Sequence, residues 1–129
     1  MKRTLISIGL IMIVTVFSNV NAKIFEERQY LSSEVELMTR SCNRGYFDDC
    51  GFLGKMLLSN KEMKKAIESL TTACNGGFME GCMVLGAIYG FGAGVQQDIS
   101  KAGGLMRKAC NGGMKYACET LEKNPYIFI

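Results

Sequence analysis

One segment of this sequence occurs three times, and each copy begins and ends with a cysteine. The copies are Cys42–Cys50, Cys74–Cys82 and Cys110–Cys118, and an asparagine follows the first cysteine of each. The first and second copies are offset by 32 residues, and the second and third by 36. Periods of this length are typical of helix pairs that stack into a solenoid, in which no single pair can bury its apolar face alone.

The difference between the two offsets lies in one connector. Leu53-Gly54 matches Leu85-Gly86 at an offset of 32, whereas Lys65-Ala66 matches Lys101-Ala102 at an offset of 36. The first repeat therefore lacks residues that the second carries within a glycine-rich run, Gly90–Asp98. A length change of this kind is tolerated in a loop, so the run is predicted to connect one helix pair to the next.

Each repeat predicts two helices. In the first helix apolar residues recur at helical spacing, as in Met63, Ala66, Ile67 and Leu70. Each first helix runs into a glycine, which favours a left-handed C-cap; these glycines are Gly45, Gly76-Gly77 and Gly112-Gly113. Second helices are predicted over Phe47–Leu58, Met79–Tyr89 and 115 to about 123, where Asn124-Pro125 ends the last one. The predicted fold is therefore all-α, a short α/α solenoid.

Gly103-Gly104 fits this pattern poorly, because it falls in the middle of a predicted helix. Glycine at such a position costs about 1 kcal/mol relative to alanine. The pair predicts either local fraying or a tight backbone contact.

The amino terminus has the pattern of a secretory signal. Lys2 and Arg3 precede an almost wholly apolar run, Leu5–Phe17, and Val20-Asn21-Ala22 supplies small residues for cleavage. The run is shorter than the roughly 20 residues that span a bilayer. We therefore expect residues 1–22 to be a cleaved signal peptide, residues 23–129 to form one helical-repeat domain, and the protein to be secreted or periplasmic.

Charge and cysteine content narrow the function classes. Lys2 and Arg3 account for two of the 15 basic residues; the remaining 13 against 12 acidic residues give a net charge of +1, which predicts no nucleic-acid or membrane partner. Six cysteines in an exported chain predict three disulfides. Without histidine a zinc site would need cysteine ligands alone, so we expect neither a metal nor another cofactor. Six cysteines permit about 15 pairings, and the recurring spacing favours the local one within each copy.

Two runs of the sequence resemble a known repeat. Leu85–Ala102 reads LGAIYGFGAGVQQDISKA, and Lys108–Gly113 reads KACNGG. These runs closely resemble the Sel-like repeat, a relative of the tetratricopeptide repeat, and the paired cysteines resemble its Helicobacter cysteine-rich protein branch. The resemblance covers about Ser33 to Glu122. The first repeat departs from it, since it lacks the tyrosine and the Gly-Val-Gln-Gln loop.

The resemblance implies one disulfide within each repeat and two alternative functions. Sel-like repeats are adaptors, which implies a protein-protein interaction module with a protein or peptide partner. Members of the cysteine-rich branch are also described as penicillin-binding or β-lactamase-like, which implies a β-lactam or peptidoglycan-like ligand. The sequence contains no Ser-x-x-Lys, Lys-Thr-Gly, Ser-Asp-Asn or Cys-x-x-Cys motif, so no catalytic residue is assigned. Ser59 and Ser100, beside Lys61 and Lys101, are more simply turn and cap residues.

Four apolar residues are candidates for a partner-binding groove. Phe52 and Met56 lie opposite Leu53 on their predicted helix, and Val84 and Ile88 take the equivalent positions one repeat later. They predict a shallow groove, with Lys55 at its edge, that suits an apolar or helical peptide. The alternative, which the usual burial of apolar residues in stacked repeats favours, is that all four pack in the core.

Overall fold

The computed structural model describes residues 30–125, and the compact unit that begins at Leu31 is all-α. Its helices follow one another along the chain as α1 (Ser32–Asn43), α2 (Phe47–Ser59), α3 (Met63–Asn75), α4 (Met79–Phe91), α5 (Ile99–Asn111) and α6 (Lys115–Lys123). The predicted signal peptide, residues 1–22, lies outside the described residues. Among the helices that are described, none has the length and apolar character needed to cross a bilayer.

The helices form three pairs that stack in sequence order. We call α1, α3 and α5 the A helices, and α2, α4 and α6 the B helices. Each A helix packs against the B helix that follows it, and α2 and α4 pack even more extensively against the next A helix along the chain. Contacts therefore run from each helix to its sequence neighbours, and the predicted helical-repeat fold is confirmed.

A disulfide joins the two helices of every pair. The bonds link Cys42 to Cys50, Cys74 to Cys82 and Cys110 to Cys118, with Cα–Cα distances of 4.6, 4.6 and 4.7 Å. Each closes a loop of a few residues, which stabilises the folded state by roughly 2–3 kcal/mol in the chain-entropy model. The central bond lies deepest, since both Cys74 and Cys82 are buried in the main core.

The two glycines at each of the second and third A–B junctions serve different purposes. The second glycine of each pair, Gly77 and Gly113, has φ of +95° and +98°, a conformation that side chains with a Cβ rarely adopt. The first glycine has a negative φ, but a Cβ there would collide with a side chain of the preceding repeat. Phe47 covers Gly76 in this way, and Met79 covers Gly112.

The core runs along the contacts between neighbouring helices. Its largest cluster of buried residues belongs to the second and third pairs and comprises Leu70, Cys74, Cys82, Leu85, Ile88, Met106, Ala109 and Ala117. A smaller cluster of Leu53, Leu57 and Ala66 joins the first pair to the second. In contrast, α1 has no buried residue. Burial is therefore concentrated on the carboxyl-terminal side of α1.

The two connectors between pairs differ in length, as the offsets predicted. Residues 60–62 join α2 to α3, and residues 92–98 join α4 to α5. In the longer connector the side chain of Gln97 donates to the carbonyl oxygen of Gly90 (2.8 Å). Asp98 caps α5 by accepting a hydrogen bond from the backbone amide of Lys101 (2.9 Å). These bonds fold the connector back onto the helices that it joins.

Helix α5 is continuous through Gly103 and Gly104, which excludes fraying, one of the two alternatives that the glycine pair predicted. Gly103 is buried, whereas a Cβ on Gly104 would meet nothing within 4 Å. Gly104 therefore has neither a steric nor a conformational reason to be glycine.

We expect Gly104→Ala to raise the free energy of unfolding by about 0.5–1 kcal/mol, because alanine has the better helix propensity and leaves the unfolded chain less entropy. Gly113→Ala is the matched control, since its Cβ would also meet nothing within 4 Å but its φ is +98°. That substitution should lower the free energy of unfolding by about 1–2 kcal/mol. Urea unfolding of both variants measures the difference, and effects of the same sign would contradict this account.

Candidate functional site

Phe52 and Lys55, two of the predicted groove residues, lie on the surface that joins α2 to the start of α4. The Phe52 ring is 46% exposed and lies 6.0 Å from the Phe78 ring, centroid to centroid. The Lys55 ammonium lies 5.0 Å from the Phe52 ring centroid and forms a salt bridge of 2.6 Å with Glu80. This surface combines an accessible aromatic ring with a pair of opposite charges.

Met56 and Ile88 are core residues, with 8% and 6% exposure, and Val84 is half-buried. The expectation that they share an exposed groove with Phe52 is therefore wrong for Met56 and Ile88. The physical reason is that a B helix inside the stack has several neighbours, so it buries more than the face marked by Leu53 or Leu85. Partner binding by Phe52, Lys55 and Val84 stays a prediction.

Alanine substitution should distinguish buried Met56 from exposed Phe52 by the loss in the free energy of unfolding. We expect Met56→Ala to lower the free energy of unfolding by about 2–5 kcal/mol, because it leaves a cavity in the core. Phe52→Ala should cost only about 1 kcal/mol, since the ring is half-exposed and loses mainly its contact with Phe78. Thermal or urea unfolding of the two variants tests this order, and a larger effect for Phe52→Ala would contradict it.

A cavity of about 350 Å³ opens between α4, α5 and α6. Its apolar lining includes Ala87, Ile99 and Met106, and polar groups come from Gln97, Thr120 and Asn124. We call this space the C-terminal cavity. Two aromatic side chains that also line it, Phe91 and Tyr116, are 85% and 65% exposed. Large apolar groups that remain this accessible beside a cavity are typical of binding surfaces.

The third repeat differs from the second at this cavity. At the 36-residue offset, Thr120 and Asn124 occupy the positions of Val84 and Ile88. The hydroxyl of Thr120 donates to the carbonyl oxygen of Tyr116 (2.8 Å), and the amide of Asn124 donates to that of Thr120 (2.8 Å). These polar side chains are turned to their own helix, and they fill less of the space beside α4 than valine and isoleucine would.

Sequence reasoning placed the binding surface on the first two repeats and missed this cavity. The signal that could have located it is the loss of apolar residues at the third repeat, where Thr120 takes the position of Phe52 and Val84. The sequence does not indicate that Phe91 is exposed, because a phenylalanine at the end of α4 would suit a core position equally well.

Two other hollows flank the longer connector. One, of about 390 Å³, is lined by Tyr89, Lys101 and residues 95–98, and the Lys101 ammonium lies 4.0 Å from the Tyr89 ring centroid. The other, of about 460 Å³, lies between the start of α3 and Gly94-Val95. The first has a largely polar lining and the second lacks an aromatic side chain, so neither matches the C-terminal cavity as an apolar docking site.

The two serines considered as nucleophiles lie on helices α2 and α5. The Ser59 hydroxyl donates to the carbonyl oxygen of Lys55 (3.2 Å), and Ser100 is exposed in the first turn of α5, where the ammonium of Lys101 lies over Tyr89. The hydrogen bond that the Lys65 ammonium donates to the Glu62 carboxylate raises the pKa of Lys65, so this lysine stays protonated. A lysine that acts as a general base requires a lowered pKa. Within residues 30–125 no group of three or more cysteine, aspartate or glutamate residues is arranged to hold a metal ion.

We expect no hydrolysis of a chromogenic cephalosporin at ordinary enzyme turnover, which is on the order of 1–1,000 per second. The reason is that, within residues 30–125, neither Ser59 nor Ser100 forms a hydrogen bond with a basic side chain. The assay uses oxidised protein and a Ser59→Ala/Ser100→Ala double variant as the control. Turnover in that range that disappears in the double variant would show serine chemistry that this geometry does not predict.

No protein-family model matches this chain, and no curated protein matches it either. The arrangement of six helices in disulfide-linked pairs is consistent with Sel-like repeats. Fold and site together define the class: this is a disulfide-rich, all-α helical-repeat domain. Its three disulfides indicate an oxidising compartment outside the cytoplasm.

Proposed function

We propose that this protein is an exported protein-protein interaction module that binds an apolar side chain of a protein or peptide partner in the C-terminal cavity. The observation that carries the proposal is the exposure of Phe91 and Tyr116 at the rim of an apolar cavity. Exposed aromatic residues around an apolar cavity supply large contact area and frequently dominate binding energy. The predicted signal peptide and the three disulfides support export.

The size and chemistry of the cavity favour a side chain over a larger ligand. A volume of about 350 Å³ is at the small end of the range for ligand pockets, roughly 300–1,000 Å³. Ala87, Ile99 and Met106 would contact an aliphatic or aromatic group, and Gln97 could hydrogen-bond a peptide backbone at the rim. A peptide with one apolar anchor residue matches this combination.

The surface at α2 occupies repeat positions that are equivalent to part of the cavity lining. Thr120 and Ala87, which line the cavity, are the repeat equivalents of Phe52 and Lys55. A helical or extended partner seated in the cavity could therefore reach Phe52 and the salt bridge of Lys55 with Glu80. Exposed charges of this kind contribute more to the choice of partner and the association rate than to affinity.

Fluorescence polarisation with a library of labelled amphipathic peptides tests the proposal. The peptides carry leucine, phenylalanine or methionine at positions three and four apart, and each has an alanine-substituted counterpart. We expect binders to lose at least tenfold in affinity when Phe91 and Tyr116 are both replaced by alanine, which corresponds to about 1.4 kcal/mol. The variant should unfold within about 0.5 kcal/mol of the wild type, because both side chains are exposed.

Tyr46→Ala is the matched control, because Tyr46 is 59% exposed at the junction of the first repeat. It should leave the affinity of the same peptides unchanged. The proposal fails if no peptide binds more tightly than about 1 mM, or if Tyr46→Ala weakens binding as much as the cavity variant does.

A further inference from the structure

The contacts between consecutive repeats follow one pattern that occurs twice. Gly54 of α2 lies against Ala66 of α3, and Gly86 of α4 lies against Ala102 of α5. In both places a Cβ on the glycine would lie 3.3 Å from the carbonyl oxygen of the alanine. We call these residues the contact glycine and the contact alanine. All four are buried, so a large or charged side chain at any of them would push the repeats apart.

A second contact accompanies the first at both places. The side chain that begins a B helix, Phe47 or Met79, covers the first glycine of the next A–B junction, Gly76 or Gly112. We call these residues the covering side chain and the junction glycine. Because a Cβ on the junction glycine would overlap the covering side chain, this contact also requires glycine.

Charged residues stand at all four equivalent positions on the two ends of the described stack. On α1 and its junction, Glu34 takes the place of the contact alanine and Arg44 that of the junction glycine. On α6, Glu122 takes the place of the contact glycine and Lys115 that of the covering side chain. All four residues are exposed.

We infer that these four charges prevent copies of this chain from stacking head to tail. If α6 of one copy met α1 of another as consecutive repeats meet, Glu122 would lie against Glu34 and Lys115 would lie on Arg44. Both pairs have like charges, and the glutamate pair would occupy a contact that is buried inside the stack. An unpaired buried charge and a like-charged neighbour both oppose association.

The need for such a barrier follows from the repeat itself. A head-to-tail contact between identical chains leaves an open surface at each outer end and can extend into a filament when its rotation does not close into a ring. Leu31 and Leu37 are 67% and 63% exposed at α1, so this end is apolar enough to attract another surface. One favourable pair would form, since Lys123 and Asp48 occupy the positions of Lys55 and Glu80, but an exposed ion pair contributes little.

Two variants, each with both charged residues replaced at one end of the described stack, test the inference in sedimentation velocity experiments on oxidised protein. The first carries Glu34→Ala and Arg44→Gly, and the second carries Lys115→Met and Glu122→Gly. We expect each variant alone, like the wild type, to sediment as a monomer. An equimolar mixture should contain a complex of two chains, and a chain with all four substitutions should form species that grow with concentration.

Lys108→Met with Glu36→Ala, which alters exposed charges outside these contacts, is the control and should stay monomeric. The inference is overturned if the wild type associates under the same conditions. It is also overturned if the two variants with replacements at one end are folded but remain monomeric when mixed.

Discussion

The bond between two cysteines eight positions apart is the constraint on which the rest of this structure depends. It fixes the carboxyl end of an A helix beside the start of its B helix, with Cα atoms 4.6 to 4.7 Å apart in all three pairs. A stack with so few repeats has a small core, and α1 buries no residue at all. In the chain-entropy model the three bonds together give a stabilisation comparable with the whole of about 5–15 kcal/mol that a small domain has. The helix pairs therefore hold their geometry even where burial is slight.

With each pair fixed, the repeats approach closely enough for glycine to become necessary. Gly54 and Gly86 let a B helix lie against the backbone of the next A helix, and Gly76 leaves room for Phe47. The same positions carry Glu122 and Arg44 where no further repeat is present among the described residues. The same repeat position therefore either allows the next repeat to pack or opposes it, depending on the size and charge of its side chain.

The third repeat is where the proposed binding surface arises. Thr120 and Asn124 satisfy their hydrogen bonds within α6 and leave space beside α4, where Phe91 and Tyr116 remain exposed. The second repeat does not offer this space, because its equivalent residues, Val84 and Ile88, are apolar and belong to or pack against the main core. The candidate site therefore arises where the third repeat departs from the second, in a helix pair that the Cys110–Cys118 disulfide joins.

The sequence alone determined the helices, their pairing and the position of the longer connector, because these follow from local periodicity, glycine caps and the spacing of the cysteines. It also determined where the repeats match and where they differ. Only the tertiary structure decided which faces are covered. A helical pattern identifies one apolar face of a helix, as it does for the face of α2 that includes Leu53. Met56 and Ile88 lie outside the predicted faces of their helices, yet they are buried in the stack, and the sequence of one helix does not show this. The continuity of α5 through Gly103 and Gly104 and the opening beside Tyr116 also became clear only in the tertiary structure. Local propensity could not predict them, because it takes no account of the burial of Gly103 or of the space between helices.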